Sequence, residues 1–511
     1  MGIKKWFYMM LLCSLVGVMT SGKAHALWKN DDGTFSLTGK FETRETIRTQ
    51  DSSGNTFPDT DAGDLVQQRN ILDLEVNHNL GNLGGLQVKY HLLGRFFYEG
   101  IYDYGPMQFR DVYDNNKTIF DDNNLRTDAR IREGYVDLSH GPLFFRLGKQ
   151  NLSWGETDVM RLLDNINPLD NSFGGIFEDL DDRRIPLEMT RGSFNFGDVG
   201  PVKSFTLEGF WVPGRLDPTV SPVAPYGSPY AAPAPPSTNI TPHHDMDNSR
   251  YGGRVQGVVG DDLTFSLAHY KTFLDTPAMN LHVFKQFDPL NPAGGFVVGP
   301  ILTHEKVDIT GGSINYVEHN LDVVIRSEVA MFWDEPVFIP QINTPDPTIA
   351  LAVPGDPTTA YPIFNEGKVP TKNILRYSLG LDKQQWIRAL NEDSTFYISF
   401  QYLGQYVCDY DKRMALIVPT NAAPPFTYPD VKKFDHTFTL LAKNSWLHGT
   451  LTPQMVLGWY TRGAYLIQPS VEYILDPFRI KLQYSCIAGT LNGFGLFRDR
   501  DQASLTIGVL F

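Results

Sequence analysis

The chain ends with the stretch Gln502-Ala-Ser-Leu-Thr-Ile-Gly-Val-Leu-Phe511, in which apolar side chains occupy every second position. The apolar set is Ala503, Leu505, Ile507, Val509 and Phe511, and the alternate set is Gln502, Ser504, Thr506 and Gly508. Alternation with period two over a length that spans a bilayer is typical of a strand with one face in lipid and the other in water. A soluble strand with one buried face shows the same pattern, so the rest of the sequence has to distinguish the two.

An aromatic residue, Phe511, closes this stretch on the parity assigned to lipid. A terminal aromatic at this place resembles the terminal-strand signal of bacterial outer-membrane proteins, which the barrel assembly machinery recognises. The sequence therefore predicts that Phe511 is the barrel assembly signal and that this machinery is a partner of the chain.

Earlier stretches repeat the alternation, with charged side chains on one parity. In the first predicted strand, about Thr34 to Arg48, the apolar parity holds Phe35, Leu37, Phe41 and Ile47, and the other holds Lys40, Glu42, Arg44 and Arg48. Three aromatic residues, Phe97, Phe144 and Phe332, fall on the parity assigned to the inside. A soluble sandwich is apolar inside and wet outside, whereas a wide membrane barrel reverses this order.

Short and long connections alternate along the chain. Short turns are predicted at 140–142, 197–201, 260–262, 318–320, 391–393, 448–449 and 476–477, and long connections at 100–129, 151–186, 214–249, 274–302, 335–371 and 407–433. Short periplasmic turns and long extracellular loops are typical of outer-membrane barrels. The sequence thus predicts an all-β fold, a single transmembrane antiparallel β-barrel over residues 27–511. About 18 strands are expected, or about 16 if one weak hairpin is a loop.

Residues 1–26 have the features of a cleaved secretory signal peptide. Lys4 and Lys5 precede an apolar run too short to span a membrane as a helix, and Ala24-His25-Ala26 forms a small-residue cleavage site. Cleavage removes three of the 44 basic residues, so 41 basic and 58 acidic residues remain, a formal charge of −17. This charge argues against a nucleic-acid partner. The protein is expected to be exported to the bacterial outer membrane and to contact its lipid.

Cys408 and Cys486 are the only cysteines after residue 26, so no disulfide framework is expected. Cys486 follows the lipid parity of its strand, whereas Cys408 follows a strand, about 394–406, that is not its neighbour in the predicted order. A disulfide requires Cα atoms within about 7 Å, so two free thiols are predicted. The haem-attachment motif Cys-x-x-Cys-His does not occur, and no cofactor is expected.

Residues 213–242 contain nine prolines. This composition predicts a solvated, mobile surface loop. The stretch His243-His244-Asp245-Met246-Asp247 follows it and contains residue types that bind metals, but it lacks a defined ligand spacing. No metal site is therefore predicted.

Residues 146–191 contain the most distinctive motifs. Arg146-Leu-Gly-Lys-Gln150 ends a strand, Trp154-Gly-Glu156 follows, and Ile166-Asn-Pro-Leu-Asp170 comes next. These motifs resemble those of an uncharacterised family of Gram-negative outer-membrane proteins, domain of unknown function 1302, with Lys149 in place of the usual arginine. The resemblance implies an outer-membrane barrel, often associated with export or uptake of hydrophobic compounds. It implies neither a substrate nor a catalytic residue.

Part of residues 151–184 is expected to fold into the lumen and narrow it. Its charged side chains suit water rather than lipid, and its apolar ones need a surface to pack against. Arg183 and Arg184 can pair with Asp164, Asp170 or Asp181. The candidate lumen residues are Arg146, Lys149, Gln150, Trp154, Glu156, Asp158, Arg161, Asp164, Asp170, Arg183 and Arg184. A simple loop brace and an extracellular lid are the alternative interpretations.

The predicted function is a passive, substrate-selective channel for small solutes, hydrophobic ones included. The alternative is a barrel that sheathes a partner, such as a multihaem cytochrome or a periplasmic efflux component. A sheath should have fewer loops folded into the lumen, whereas a channel needs a constriction. No enzymatic activity is predicted, because the sequence lacks a Gly-x-Ser-x-Gly elbow and isolated Ser, His and Asp residues are unavoidable in a chain of this length.

Overall fold

The computed structural model describes residues 27–52, 60–117, 120, 124–157, 161–222, 224–231, 238–285, 296–343, 369–418, 420 and 427–511. The signal peptide predicted for residues 1–26 lies outside these residues and remains a prediction. Asp158 also lies outside them, so its predicted place in the lumen remains a prediction as well.

Eighteen antiparallel strands close into a barrel, which confirms the expected count. Each strand pairs with its neighbours in sequence, and the last strand pairs with the first. A two-residue strand, Trp28–Lys29, adds to the first of them. The barrel strands are β1 (Phe35–Arg48), β2 (Leu65–Leu83), β3 (Leu86–Glu99), β4 (Thr127–His140), β5 (Leu143–Gln150), β6 (Leu187–Val199), β7 (Val202–Val212), β8 (Arg250–Val259), β9 (Leu263–Phe273), β10 (Lys306–Glu318), β11 (Val323–Pro336), β12 (Thr371–Gln385), β13 (Phe396–Val407), β14 (Phe434–Lys443), β15 (Leu451–Tyr460), β16 (Ala464–Leu475), β17 (Phe478–Gly489) and β18 (Gln502–Leu510).

The two ends of the barrel differ, as the loop lengths predicted. At one end the strands are joined by turns as short as 141–142 and 476–477, and at the other by connections such as 151–186 and 213–249. The long connections contain the helices α1 (Ile101–Tyr104), α2 (Met107–Asn115), α3 (Leu180–Arg183) and α4 (Pro340–Asn343), and a small sheet of Thr238–Ile240, Ala278–Lys285 and Phe296–Thr303.

Within the described ranges, no helix has the length and apolar character needed to cross a membrane.

The outer surface is apolar and the inner surface is charged, the reverse of a soluble protein. On β1 the inward Glu42 and Arg44 are 5% and 7% exposed, whereas the outward Ile47 is 42% exposed. Exposed tryptophans lie near both rims, with Trp211, Trp333 and Trp459 at the long-loop end and Trp28, Trp386 and Trp446 at the short-turn end. An apolar band between two aromatic girdles is typical of membrane barrels. The barrel is therefore transmembrane.

Towards the long-loop end, the inward side chains of β6, β7 and β9 to β11 are largely apolar, whereas β8 contributes the buried Arg250. The buried members are Leu187, Met189, Phe210, Val212, Ala268, Tyr270, Val307, Ile309, Ala330 and Phe332. The expectation of a polar inward parity is wrong for this part of the wall, because a segment of the chain covers it and excludes water. Two of the aromatic exceptions, Phe97 and Phe332, also lie under guanidinium groups. Their ring centroids are 4.3 Å from Arg69 Cζ and 4.1 Å from Arg376 Cζ.

Part of the proline-rich connection is buried rather than solvated. Ser228 is completely buried, and Tyr230 is 7% exposed. Arg48, at the end of β1, donates from Nη2 to Pro229 O at 3.0 Å. The prediction of a solvated surface loop is wrong for this buried part, because it packs against the seam between β1 and β18, where Arg48 and Arg500 contact it. In the stretch that follows, Asp245 accepts from Asp247 N at 3.2 Å and stabilises a local turn.

The two cysteines of the described chain, Cys408 and Cys486, are both free. Cys408 follows β13 and Cys486 lies on β17, so three strands separate their positions in the sheet. The prediction of two free thiols is confirmed.

Deleting Phe511 is expected to lower the yield of assembled barrel. Phe511 N donates to Gly39 O at 2.9 Å and Gly39 N donates to Phe511 O at 2.6 Å, so this residue completes the β1–β18 seam. A Cβ atom on Gly39 would collide with the Phe511 ring. Assembly is measured by the shift between boiled and unboiled protein on a gel. The variant Leu510→Ala, which keeps the aromatic terminus, is the matched control, and normal assembly without Phe511 would contradict the prediction.

Candidate functional site

The segment 151–186 connects β5 with β6, and hydrogen bonds hold its two ends together where they meet the barrel wall. Asn167 is completely buried. Its side-chain nitrogen donates to Gln150 O at 3.2 Å and to Ile185 O at 2.8 Å, and its side-chain oxygen accepts from Leu152 N at 2.8 Å. One amide side chain therefore holds together the beginning, the middle and the end of the segment.

Trp154 attaches the first part of the segment to the wall. Its ring is 1% exposed and meets the rings of Phe210 and Tyr270 edge-on, at centroid distances of 5.2 and 5.7 Å. Close approach also depends on Gly311 of β10, where a Cβ atom would lie 2.7 Å from Leu163 Cδ2. The apolar side chains of the segment and those of the wall at the long-loop end therefore bury each other. The hydrophobic effect thus favours this position of the segment.

Glu328 on β11 holds the same part of the segment by its backbone. Its carboxylate is 2% exposed and accepts from Glu156 N and, at 3.3 Å, from Leu163 N. Arg326, two residues earlier on the same face, donates from Nη1 to Glu156 O at 2.5 Å. Tyr270 OH donates to Leu163 O at 2.8 Å. Four backbone groups of a loop that lacks regular secondary structure here are thus satisfied by side chains of the wall.

Charged pairs brace the second part of the segment. Arg184 pairs with Asp164 and, at 2.6 Å, with Asp181, so two of the predicted partners are the actual ones. Arg161 pairs with Asp275. Arg183 instead donates to the side chain of Asn171.

Asp170, the third possible partner of Arg183 and Arg184, stabilises a local turn. Its carboxylate accepts from Ser172 N at 2.9 Å, and its backbone nitrogen donates to Arg183 O at 2.7 Å. Of the three possible partners, Asp164 and Asp181 are therefore the ones used, since the local turn uses the Asp170 carboxylate.

The far part of the segment reaches the opposite wall. Arg44 of β1 pairs with Glu178 at 2.7 Å and with Asp182. Arg95 of β3 lies 3.8 Å from Asp182, and Gln67 of β2 donates to Glu178 at 3.0 Å. Since Glu328 on β11 and Arg44 on β1 hold the same segment, the chain crosses the lumen from one wall to the other.

A cavity lies between this part of the segment and strands β1 to β4. Its lining is Arg44, Arg69, Ile71, Arg95, Phe97, Arg130, Arg132, Phe173 and Asp182, and we call it the arginine pocket. The neighbouring strands place like charges directly opposite each other, Arg44 beside Arg69 and Arg95 beside Arg130. Such pairs are destabilising unless negative charge compensates them.

Sequence comparison decides the family of this chain. The family described as "Protein of unknown function (DUF1302)" matches residues 8–511. The chain belongs to this family. The motifs around Trp154 and Asp170 thus lie within a match that covers almost the whole chain. Comparison with curated proteins gives no match.

Several solved structures are similar to this DUF1302 protein. OccAB1 of Acinetobacter baumannii is 9% identical with a TM-score of 0.46, and the likeness covers 96% of this chain and 99% of that one. OccAB4 of the same organism is 9% identical with a TM-score of 0.47, covering 94% and 100%. OccK2 (OpdF) of Pseudomonas aeruginosa, solved with glucuronate, is 9% identical with a TM-score of 0.44, covering 93% and 98%.

Two of the candidate lumen residues of this DUF1302 protein, Arg146 and Lys149, lie on β5 and do not contact the described residues of the segment through their side chains. Arg146 pairs with Asp137 of β4 at 2.7 Å and lies 3.8 Å from the centroid of the Tyr135 ring. Lys149 has the parity of the outward Leu147, which is 41% exposed. The alternation of β5 thus directs Lys149 outward, because inward and outward side chains change at every residue.

Sequence reasoning on this DUF1302 protein missed the arginine pocket. The alternation places Arg44 on the polar parity, but it does not by itself group Arg44 with Arg69, Arg95, Arg130 and Arg132. The available signal was an arginine on the inward parity of each of the first four strands. Since adjacent antiparallel strands bring such residues side by side, strand order alone predicts the cluster.

Proposed function

We propose that this protein is a passive, substrate-selective channel of the outer membrane in which the segment 151–186 forms the constriction. The observation that carries the proposal is the crossing of the lumen, from Glu328 on β11 to Arg44 on β1. A barrel of this strand number has an interior wide enough for water, so the width of the path depends on what fills it. In the proposed orientation the short turns face the periplasm and the long loops face outward.

The segment is proposed to select solutes by both size and charge. Its apolar part, around Trp154, covers the wall of β6 to β11. Its charged part faces the arginines of β1 to β4. A solute that passes the charged part of the segment meets fixed charges in a confined space. Electrostatic interactions are stronger there than in bulk water. Small hydrophobic solutes remain part of the proposal, as the family resemblance implies.

The channel is favoured over a sheath around a partner protein by what occupies the lumen. A sheath needs an interior free for its partner. Here Trp154, 1% exposed, and Asn167, completely buried, hold a segment of the chain itself inside the barrel. The proposal involves passage and no bond-making step, so no catalytic residue is assigned.

Purified full-length protein in planar bilayers is expected to show discrete single-channel steps, with current proportional to voltage. Passive flow through a fixed aqueous path has this behaviour, because no conformational cycle is coupled to transport. Unboiled samples that migrate differently from boiled ones provide the control for an assembled barrel. Assembled protein that inserts but does not conduct would contradict the channel and support the sheath.

A further inference from the structure

We infer that the outer face of β13 to β15 binds a phosphorylated membrane lipid, with Lys433 at its phosphate and His436 at the oxygens beneath. The site lies on the outer surface of the wall, at the long-loop end, and has no part in the path through the lumen. The inference therefore goes beyond the proposed channel, and it assigns a ligand to residues that the channel does not use.

The outward side chains at the beginning of β14 change from basic to aromatic along the chain. Lys432 has the outward parity just before the strand, and Phe434, His436 and Phe438 follow on the same face. Phe434 is 53% exposed. A phosphorylated lipid has the same order, from its charged headgroup through polar linkages to its acyl chains. This face of the strand therefore matches one lipid molecule lying along it.

Lys433 supplies a positive charge that the described part of the chain does not neutralise. Its side chain is exposed, and its Nζ lies 5.2 Å from the centroid of the Tyr406 ring on β13. Among the described residues Lys433 forms no ion pair, whereas Lys432 pairs with Asp430. The whole chain has a formal net charge of −14, so an anion needs a local cation to approach it. An ammonium group at the membrane surface attracts anionic headgroups.

His436 places a hydrogen-bonding group on the face that meets the headgroups. Its Nδ1 lies 2.8 Å from Tyr402 OH, and Tyr402 OH lies 3.3 Å from Tyr377 OH on β12. A tyrosine that donates to Nδ1 leaves the ring proton of the histidine on Nε2. Nε2 has no hydrogen-bond partner within the described ranges. A polar group without a partner is costly at a lipid-facing surface, so a headgroup oxygen that accepts from Nε2 would stabilise this arrangement.

Aromatic rings continue the site towards the middle of the membrane. The ring centroid of Phe438 lies 5.4 Å from that of Trp459 on β15, with the ring planes 20° apart, and 6.1 Å from that of Phe400 on β13. Trp459 is 46% exposed. Such rings suit the region where acyl chains meet the headgroups, whereas inorganic phosphate would leave them unused. The favoured ligand is therefore a phosphorylated lipid rather than a free anion.

The test is native mass spectrometry of the purified full-length barrel in detergent, titrated with phosphatidic acid and with diacylglycerol of the same acyl chains. The two lipids differ only in the phosphate group. Phosphatidic acid is expected to bind at least about tenfold more tightly, since each basic group near a membrane surface contributes a factor of about five. Inorganic phosphate is not expected to displace it. Equal binding of the two lipids, or displacement by inorganic phosphate, overturns the assignment.

Variants assign the site to this face of the barrel. The double substitution Lys432→Gln and Lys433→Gln is expected to weaken the binding of phosphatidic acid at least about tenfold. His436→Phe, which keeps a ring but removes the outward nitrogen, is expected to weaken it by a smaller factor. The matched control is Lys271→Gln on β9, an outward lysine at the same end of the barrel, which pairs with Asp308 at 2.9 Å. This control is expected to bind phosphatidic acid as the unmodified protein does.

Gel mobility shows which variants assemble, and Lys433→Gln alone serves if the double variant does not. Unchanged binding of phosphatidic acid in an assembled variant without Lys433 overturns the inference, and so does an equal loss in the Lys271 control. Lipid binding is measured at equilibrium and needs no flow through the barrel. A protein that conducts but binds both lipids equally overturns the lipid site alone, and a protein that binds phosphatidic acid without conducting overturns the channel alone.

Discussion

Replacing residues 151–186 with a short Gly-Ser turn is expected to raise the single-channel conductance several-fold while the barrel still assembles. The strands it connects end side by side, with Gln150 and Leu187 directly opposite each other, so a short turn can join them. Among the described residues of the segment, none takes part in a pairing between barrel strands, so its removal leaves the closed sheet intact. Removal of the segment opens the path between Glu328 on one wall and Arg44 on the other.

The same replacement is expected to move ion selectivity towards anions. The segment contains eight acidic and three basic residues, a net charge of −5. Without it, the arginines of β1 to β4 lose the carboxylates of Glu178 and Asp182. Fixed positive charge along a water-filled path attracts anions and repels cations. Conductance and reversal potential in a salt gradient measure both effects, and an assembled variant with neither change would show that the segment is not the constriction.

The substitution Trp154→Ala is expected to lower the free energy of unfolding by about 3–5 kcal/mol, the usual cost of removing a fully buried aromatic side chain. The ring is 1% exposed and lies between the segment and the rings of Phe210 and Tyr270, so its loss leaves a cavity that neither can fill without moving. The segment would also lose its main apolar anchor, and larger current fluctuations are expected. Denaturant titration of the lipid-reconstituted barrel measures the first effect, and bilayer recording measures the second.

The matched control is Trp211→Ala, next to Phe210 on β7 but on the outward parity. Trp211 is 44% exposed and faces lipid, so its removal creates no cavity inside the barrel. A clearly smaller loss of stability and unchanged current fluctuations are expected. Equal losses for the two variants would mean that Trp154 does not anchor the segment, since the two substitutions remove the same side chain.

The lumen residues show how far local sequence carries a prediction. The combination of charged residues with Trp154 in a long connection predicted a segment inside the barrel. Asp164 was among the expected partners of Arg184, and the two residues pair. The role of Asn167 was not predicted, because a single asparagine carries no pattern. Its partners are Gln150 and Leu152 before it and Ile185 after it, which lie far from it along the chain. The burial of Tyr230 in a proline-rich loop was missed for a related reason, since composition does not reveal what a loop packs against.

The sequence by itself determined the barrel. Each strand has one face in lipid and one towards the lumen, so the alternation of Leu505 and Ile507 with Ser504 and Thr506 is a local signal that needs no knowledge of distant residues. Only the tertiary structure decided what fills the lumen. Arg44 and Glu178 are 134 residues apart, and Glu156 and Glu328 are 172 apart. Contacts over such separations depend on strand order and barrel closure, and they leave no periodic pattern in the chain.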